Sequence, residues 1–169
     1  MKYGGSHFFM DREGEYSEYK RFNITHDQEM AWIKEYRSEL LAKLASDPTD
    51  SDAASEICGT VSNYKDYLSV QRVLDIASGR TAELDSFSKL RYAEEFHRII
   101  SNPTFSGADH IRAALRSAAL ILLQDLMAEP ITVAPHYRSL SYLQEHLTKN
   151  AITERAEREL NRLNCEPEH

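Results

Sequence analysis

Residues 108–127, ADHIRAALRSAALILLQDLM, place Ile, Leu, Met or Ala on nearly every side of a helix, interrupted by Asp109, His110, Arg112, Arg116, Ser117, Gln124 and Asp125. A surface helix shows one apolar stripe and a wide polar face, so this stretch reads as a helix buried on most of its circumference. A helix buried that way needs others around it. The expected fold is all-α: a bundle of roughly five to seven helices around a central one at about 108–127. The bundle domain is expected to occupy 26–169, behind a short N-terminal β-hairpin over 1–25.

The composition fits one such core. The chain has 169 residues, 41% hydrophobic and 28% charged, which is ordinary for a globular domain. Its longest unbroken apolar run, Ala118 to Leu123, is far short of the roughly 20 residues that cross a bilayer. The N-terminal MKYGGSHFFMDREG lacks the apolar segment of a secretory signal, and a cytoplasmic protein without a membrane partner is expected. The net charge of −7 is spread along the chain, with no basic segment to neutralise phosphates, which disfavours nucleic acid as a partner. Cys58 and Cys165 are too distant in sequence for a local metal-ligand pair and too few for a disulfide framework, so both are expected to be reduced thiols.

Punctuation along the chain sets the elements. SHFFM, DREG and EYSEYKRFNI, within residues 6–24, read as strand, turn and strand. Thr25 with Gln28 has capping-box spacing for a helix starting at His26. Its apolar positions, Ile33, Leu40, Leu41 and Leu44, recur at helical spacing around Arg37, and Asp47-Pro48 ends it. Ile57, Val61, Tyr64 and Leu68, then Val73, Leu74 and Ala77, continue the helical pattern toward Gly79, a residue suited to a left-handed cap. Gly59 and Ser62-Asn63 weaken that stretch and suggest two helices. A further helix is expected over about 83–101, ending before Asn102-Pro103, followed by the apolar one. An extended ITVA lies between Pro130 and Pro135. Two last helices, over 136–147 and 153–164, close the chain, the second with Ile152, Ala156, Leu160 and Leu163 on one stripe.

Three local patterns carry candidate chemistry. Glu18-Tyr19-Lys20 resembles the Glu-x-Lys of metal-dependent nucleases, in which a carboxylate holds a divalent cation and lysine helps activate water; Asp11 across the turn would be a second ligand. The competing reading is charge pairing on a hairpin surface, and the chain offers little further sheet to build such a site. Arg91 and His97, in Arg-Tyr-Ala-Glu-Glu-Phe-His, resemble the arginine-to-histidine signature of the all-helical HEPN ribonucleases. That resemblance implies a histidine moving protons at the ribose and an arginine steadying phosphate charge. Six helical residues, however, turn by about 240°, and Tyr92 departs from the polar residue usual after that arginine. The alternative has His97 packed beside Leu90 and Ala93 with Glu94 as its hydrogen-bond partner. Glu94 and His97 also spell half of a di-iron carboxylate motif, whose second half is missing from the sequence.

The histidines show no metal spacing, and no glycine-rich phosphate loop or nucleophile elbow occurs. Neither a cofactor nor a metal is therefore expected. Nine tyrosines against six phenylalanines fit either the rim of a helical core or a protein interface. The function this supports is a small acidic cytoplasmic protein that binds another protein, as immunity, antitoxin, inhibitor and adaptor proteins do, without catalytic activity. Tyr16, Glu18, Tyr19, Lys20 and Phe22 in the second hairpin strand are the expected contact residues. The alternative is an HEPN-like RNA-cleaving domain using Arg91 and His97 across a homodimer cleft.

Overall fold

A computed structural model describes residues 25–64, 66–102 and 109–165, together with Arg21 and Asn23. The expected hairpin, with Tyr16, Glu18, Tyr19, Lys20 and Phe22, lies outside the described residues. Those that are described form helices and turns, with no strand among them. The α-helices are α1 (His26–Ser46), α2 (Ser51–Tyr64), α3 (Tyr67–Gly79), α4 (Ser86–Ile100), α5 (Asp109–Ala128), the single turn α6 (Pro135–Arg138) and α7 (Lys149–Cys165). Thr81–Glu83 and Ser141–Leu147 are 3-10 segments.

Local chemistry explains most boundaries. The Thr25 hydroxyl accepts the Gln28 amide at 3.2 Å, and the Gln28 side chain accepts the Thr25 amide at 2.9 Å, so the capping box starts α1 where its spacing predicts. At the other end Asp47 turns extended and Pro48 follows. The long pattern from Ser51 to Gly79 is two helices. Asp66 caps the second, accepting the Ser69 amide at 3.2 Å and the Ser69 hydroxyl at 2.6 Å. Arg37, buried on α1, donates to the same carboxylate at 2.6 Å and so ties α1 to the start of α3.

Gly79 does not form the left-handed cap. It is the last residue of α3, and Arg80 after it has φ −127°. The Arg80 amide reaches the Ile76 carbonyl at 3.1 Å and the Thr81 hydroxyl reaches the Ala77 carbonyl at 2.9 Å. Two terminal carbonyls are thus met without a positive φ. The helix expected over 136–147 is also corrected: α6 ends at Arg138, Leu140 is extended, and a 3-10 segment follows. Side chains claim the backbone carbonyls there. Ser139 Oγ donates to the His136 carbonyl at 2.7 Å and Gln144 Nε2 to the Arg138 carbonyl at 2.6 Å, which competes with helix propagation.

The centre of the bundle is α4, not the apolar helix around 108–127. Eleven of the fifteen residues of α4 are buried, against seven of twenty in α5. α4 packs on α5, α2 and α7, while α1 packs on α2 and α3, and α3 reaches α5. α5 buries Ile111, Leu115, Ala118, Ala119, Leu122, Leu123 and Leu126. Its opposite side, with His110, Ala113, Ser117, Ile121, Gln124, Met127 and Ala128, is exposed. Alanines and Ile121 made the outer face look like core; α5 is a one-sided helix whose outer surface mixes apolar with uncharged polar residues.

Two predictions follow from these contacts. On α5, Leu122→Asp is expected to unfold the domain, because an unpaired buried carboxylate costs several kcal/mol against a total stability of about 5–15 kcal/mol. Ile121→Asp, one residue away and 51% exposed, is expected to stay within about 0.5 kcal/mol of the parent in a urea titration. At Asp66, burial pushes the carboxyl up, but the Ser69 hydroxyl, the Ser69 amide and Arg37 outweigh it and hold it below its ordinary value. The stabilisation it supplies is therefore present above the usual aspartate range and lost as pH falls below that range. Asp66→Asn keeps a comparable helix cap but removes the charge facing buried Arg37, and should cost about 1–2 kcal/mol at neutral pH. The gap between variant and parent should close as the urea titration is repeated from pH 5 down to about 3.

Candidate functional site

The most buried helix is also rich in polar groups. Asp85 caps α4 by accepting the Phe87 and Ser88 amides at 2.9 and 3.2 Å. From there the polar side chains of α4 leave in three directions, each toward a different neighbour. Toward the segment after α5, buried Lys89 donates to Glu129 at 2.6 Å, and Ser86 exchanges hydrogen bonds with the Thr132 backbone at 3.0 and 2.9 Å. Toward α2, Glu95 accepts the Ser55 hydroxyl at 2.6 Å and Arg98 Nε at 2.8 Å. Toward α7, Glu94 receives Arg155 in a two-pronged bond, Nε to Oε1 at 3.0 Å and Nη2 to Oε2 at 2.8 Å. The Arg155 guanidinium also stands 5.8 Å from the centre of the Phe87 ring, within cation–π range.

Arg91 and His97 take different sides of this arrangement. Arg91 lies toward α2, 3.5 Å from the Ser55 hydroxyl and 3.9 Å from Asp52, with Glu94 also at 3.9 Å. His97 turns to α7, where its Nδ1 bonds Glu159. Six helical residues turn by about 240°, which sets the two side chains toward different neighbouring helices. Glu94, the expected partner of His97, is instead engaged by Arg155. Both members of the His97–Glu159 pair are nearly enclosed, with side chains 11% and 6% exposed. Glu159 also accepts Arg162 at 3.3 Å.

Arg155 and Glu159 are the residues that sequence reading missed. They stand four apart on α7 and face Glu94 and His97, three apart on α4, so each helix presents one acid and one basic group along a shared seam. The spacing within α7 is visible in the chain. Its register against α4, across more than sixty residues, is a property of the packing.

Other reactive groups are muted or isolated. Cys58 is buried beneath α4; burial, and then the charge of Glu95, push its thiol up to about 12, so it is no nucleophile at neutral pH. Cys165 is exposed, and both thiols are free. The Tyr36 hydroxyl bonds Glu56 across α1 and α2 and is pushed up to about 12, first by burial and then by that carboxylate. No three His, Cys, Asp or Glu side chains among the described residues are placed to hold a metal ion. No described helix is long and apolar enough to cross a membrane.

A maleimide reagent at pH 7.5 is therefore expected to label Cys165 rapidly and Cys58 only after denaturant is added. Two labels on the native protein, counted by intact mass, would contradict the burial of Cys58.

Comparison with known protein families, with curated proteins and with solved structures finds no match to this chain.

Proposed function

We propose that this chain is a small acidic cytoplasmic protein-binding protein of the immunity, antitoxin, inhibitor or adaptor kind, without catalytic activity. The observation that carries this reading is the division of polar groups around α4. Arg91 is turned to α2 and His97 to Glu159 on α7, so the pair that a ribonuclease would need to act together serves two separate helix contacts. A second support is the surface: among the described residues Trp32, Leu68, Ile121, Met127 and Tyr142 are large and exposed, two of them, Ile121 and Met127, on α5.

The contact itself is assigned in this proposal to Tyr16, Glu18, Tyr19, Lys20 and Phe22. Tyrosine offers a large, stiff area and a polar tip, and buried tyrosine anchors often cost about 2 kcal/mol or more when truncated. Once a partner is isolated from the native host, Tyr16→Ala and Tyr19→Ala should differ, since the two residues alternate along the chain: the outward one should weaken binding about thirtyfold at unchanged melting temperature, and the other should mainly destabilise. A titration in which both variants bind like the parent would remove these residues from the interface. An RNA-cleavage activity lost in a folded His97→Ala variant would replace the binding reading with the HEPN-like one.

A further inference from the structure

Resting on the protein-binding reading, we propose that the outward flank of α1, from Trp32 to Glu39, is a docking face for an arginine-rich helix of the partner. Charge is unevenly divided among the elements, although it looks even when the chain is cut by length. Residues 25–64 carry eight acidic and three basic side chains, whereas 65–165 carry thirteen of each. The acidic excess over these residues therefore belongs to the α1–α2 pair. Two of its three basic groups are already committed, buried Arg37 to Asp66 and Lys43 to Asp50. The third, Lys34, lies two residues from Trp32 and so on the opposite flank of the helix.

The flank has a repeating composition. In Trp32-Ile33-Lys34-Glu35-Tyr36-Arg37-Ser38-Glu39 an aromatic residue is followed three places later by a glutamate, twice over. Residues three and four apart are neighbours on a helix surface, so Trp32, Glu35, Tyr36 and Glu39 form one patch, while Ile33, Arg37 and Leu40 turn inward. Trp32 is 41% exposed. Glu35 and Glu39 are exposed as well, and neither has an ion pair or hydrogen bond among the described residues. From α2, the Glu56 carboxylate accepts the Tyr36 hydroxyl. Burial, then Glu56 and Glu39, push that phenol up to about 12, so both carboxylates stand close to it.

Carboxylates alone suit any cation, and the other features of the face narrow the occupant. No three His, Cys, Asp or Glu side chains among the described residues are placed to hold a metal ion, so the negative groups are spread for a surface and not gathered for a point charge. The phosphates of a nucleic acid are repelled by the same groups. The rings then choose among basic side chains. A planar guanidinium can lie over an aromatic face while its N–H fork reaches a carboxylate, and it is more weakly hydrated than an ammonium. Trp32 with Glu35, and half-buried Tyr36 with Glu39, each offer that combination. The two pairs are four residues apart, about 6 Å along the axis, which is also the rise between arginines at i and i+4 of a helix laid alongside.

Trp32 is the only tryptophan of the chain, so its fluorescence reports on this face directly. The probe is a synthetic alanine-based helix, free of tryptophan, with arginines at i, i+4 spacing, titrated into the full chain at low salt. Saturable binding that shifts the Trp32 emission is expected, and it should weaken as salt is added. The double variant Glu35→Gln, Glu39→Gln keeps good helix formers and should bind the peptide about tenfold more weakly at unchanged melting temperature. Glu154→Gln with Glu157→Gln removes two charges from equally exposed positions on α7 and should bind like the parent. The matching lysine peptide should bind the parent more weakly than the arginine one. An arginine peptide that fails to bind, that leaves the Trp32 emission unmoved, or that binds the α1 variant like the parent would overturn the proposal. So would an equal loss in the α7 variant, or a lysine peptide that binds as well. Because the titration uses no native partner, its failure removes this face and leaves the protein-binding reading to the test at Tyr16 and Tyr19.

Discussion

The corner between α1 and α2 is the constraint on which the bundle depends. Asp47-Pro48 stops α1, and the chain must reverse within a few residues while Pro48 and Ser51 lie buried. A buried turn strands backbone carbonyls that water cannot reach, each costing about 1–3 kcal/mol if left unmet. Three side chains from elsewhere meet them. Tyr92 donates to the Pro48 carbonyl at 3.0 Å, while Ser88 and Tyr137 both donate to the Thr49 carbonyl at 3.0 Å. The Tyr137 oxygen also accepts the Ser51 amide at 2.9 Å and lies 2.6 Å from the Ser51 hydroxyl. The first turns of α4 and the single turn α6 are thereby fixed to the start of α2, across as many as 88 residues of sequence. Burial pushes the Tyr137 phenol up to about 12, so it remains a hydrogen-bond donor throughout the physiological range.

This arrangement explains the placement of α4. A helix that must supply Ser88 and Tyr92 to a buried corner, Lys89 and Ser86 to one neighbour, Glu95 to another and Glu94 with His97 to a third has to stand in the middle of them. Its polar residues are there because they are satisfied by surrounding elements. Hydropathy reads those same residues as an outward face. It therefore ranks α5 above α4 as the central helix, although α5 needs only one side to be covered.

What was legible in the chain follows the range of the interactions involved. The α1 start, written in Thr25 and Gln28, and its stop, written in Asp47-Pro48, depend on neighbours within four residues and are realised at those positions. The division of 51–79 into two helices was legible as well, but not its place: Gly59, Ser62 and Asn63 stay inside α2, and the break comes at Asp66, the new cap. The interruption after Arg138 was not legible, because it rests on Ser139 and Gln144 bonding to the backbone rather than on a proline or glycine. The pairing of Glu94 with Arg155 and of His97 with Glu159 was equally hidden. Sequence places Glu94 one turn from His97 and makes it the natural partner; only the register of α7 shows that a closer carboxylate arrives from another helix and that an arginine takes Glu94.

The same contrast bears on function. In a chain that is 28% charged, the exposed side of α5 carries no charged residue between His110 and Ala128, while buried α4 carries several. Charge is concentrated where helices meet inside the bundle, and the fully exposed positions of an outer helix between His110 and Ala128 are left without Asp, Glu, Lys or Arg. Depletion of charge over an exposed face lowers the desolvation cost of covering it, the property that separates the centre of a protein interface from ordinary surface. Stability alone does not require it, since lysine or glutamate at Ser117, Ile121 or Gln124 would cost the fold little and would add solubility. The outer face of α5 thus supports the protein-binding reading independently of the aromatic residues near the N-terminus, through its low charge and through exposed Ile121 and Met127.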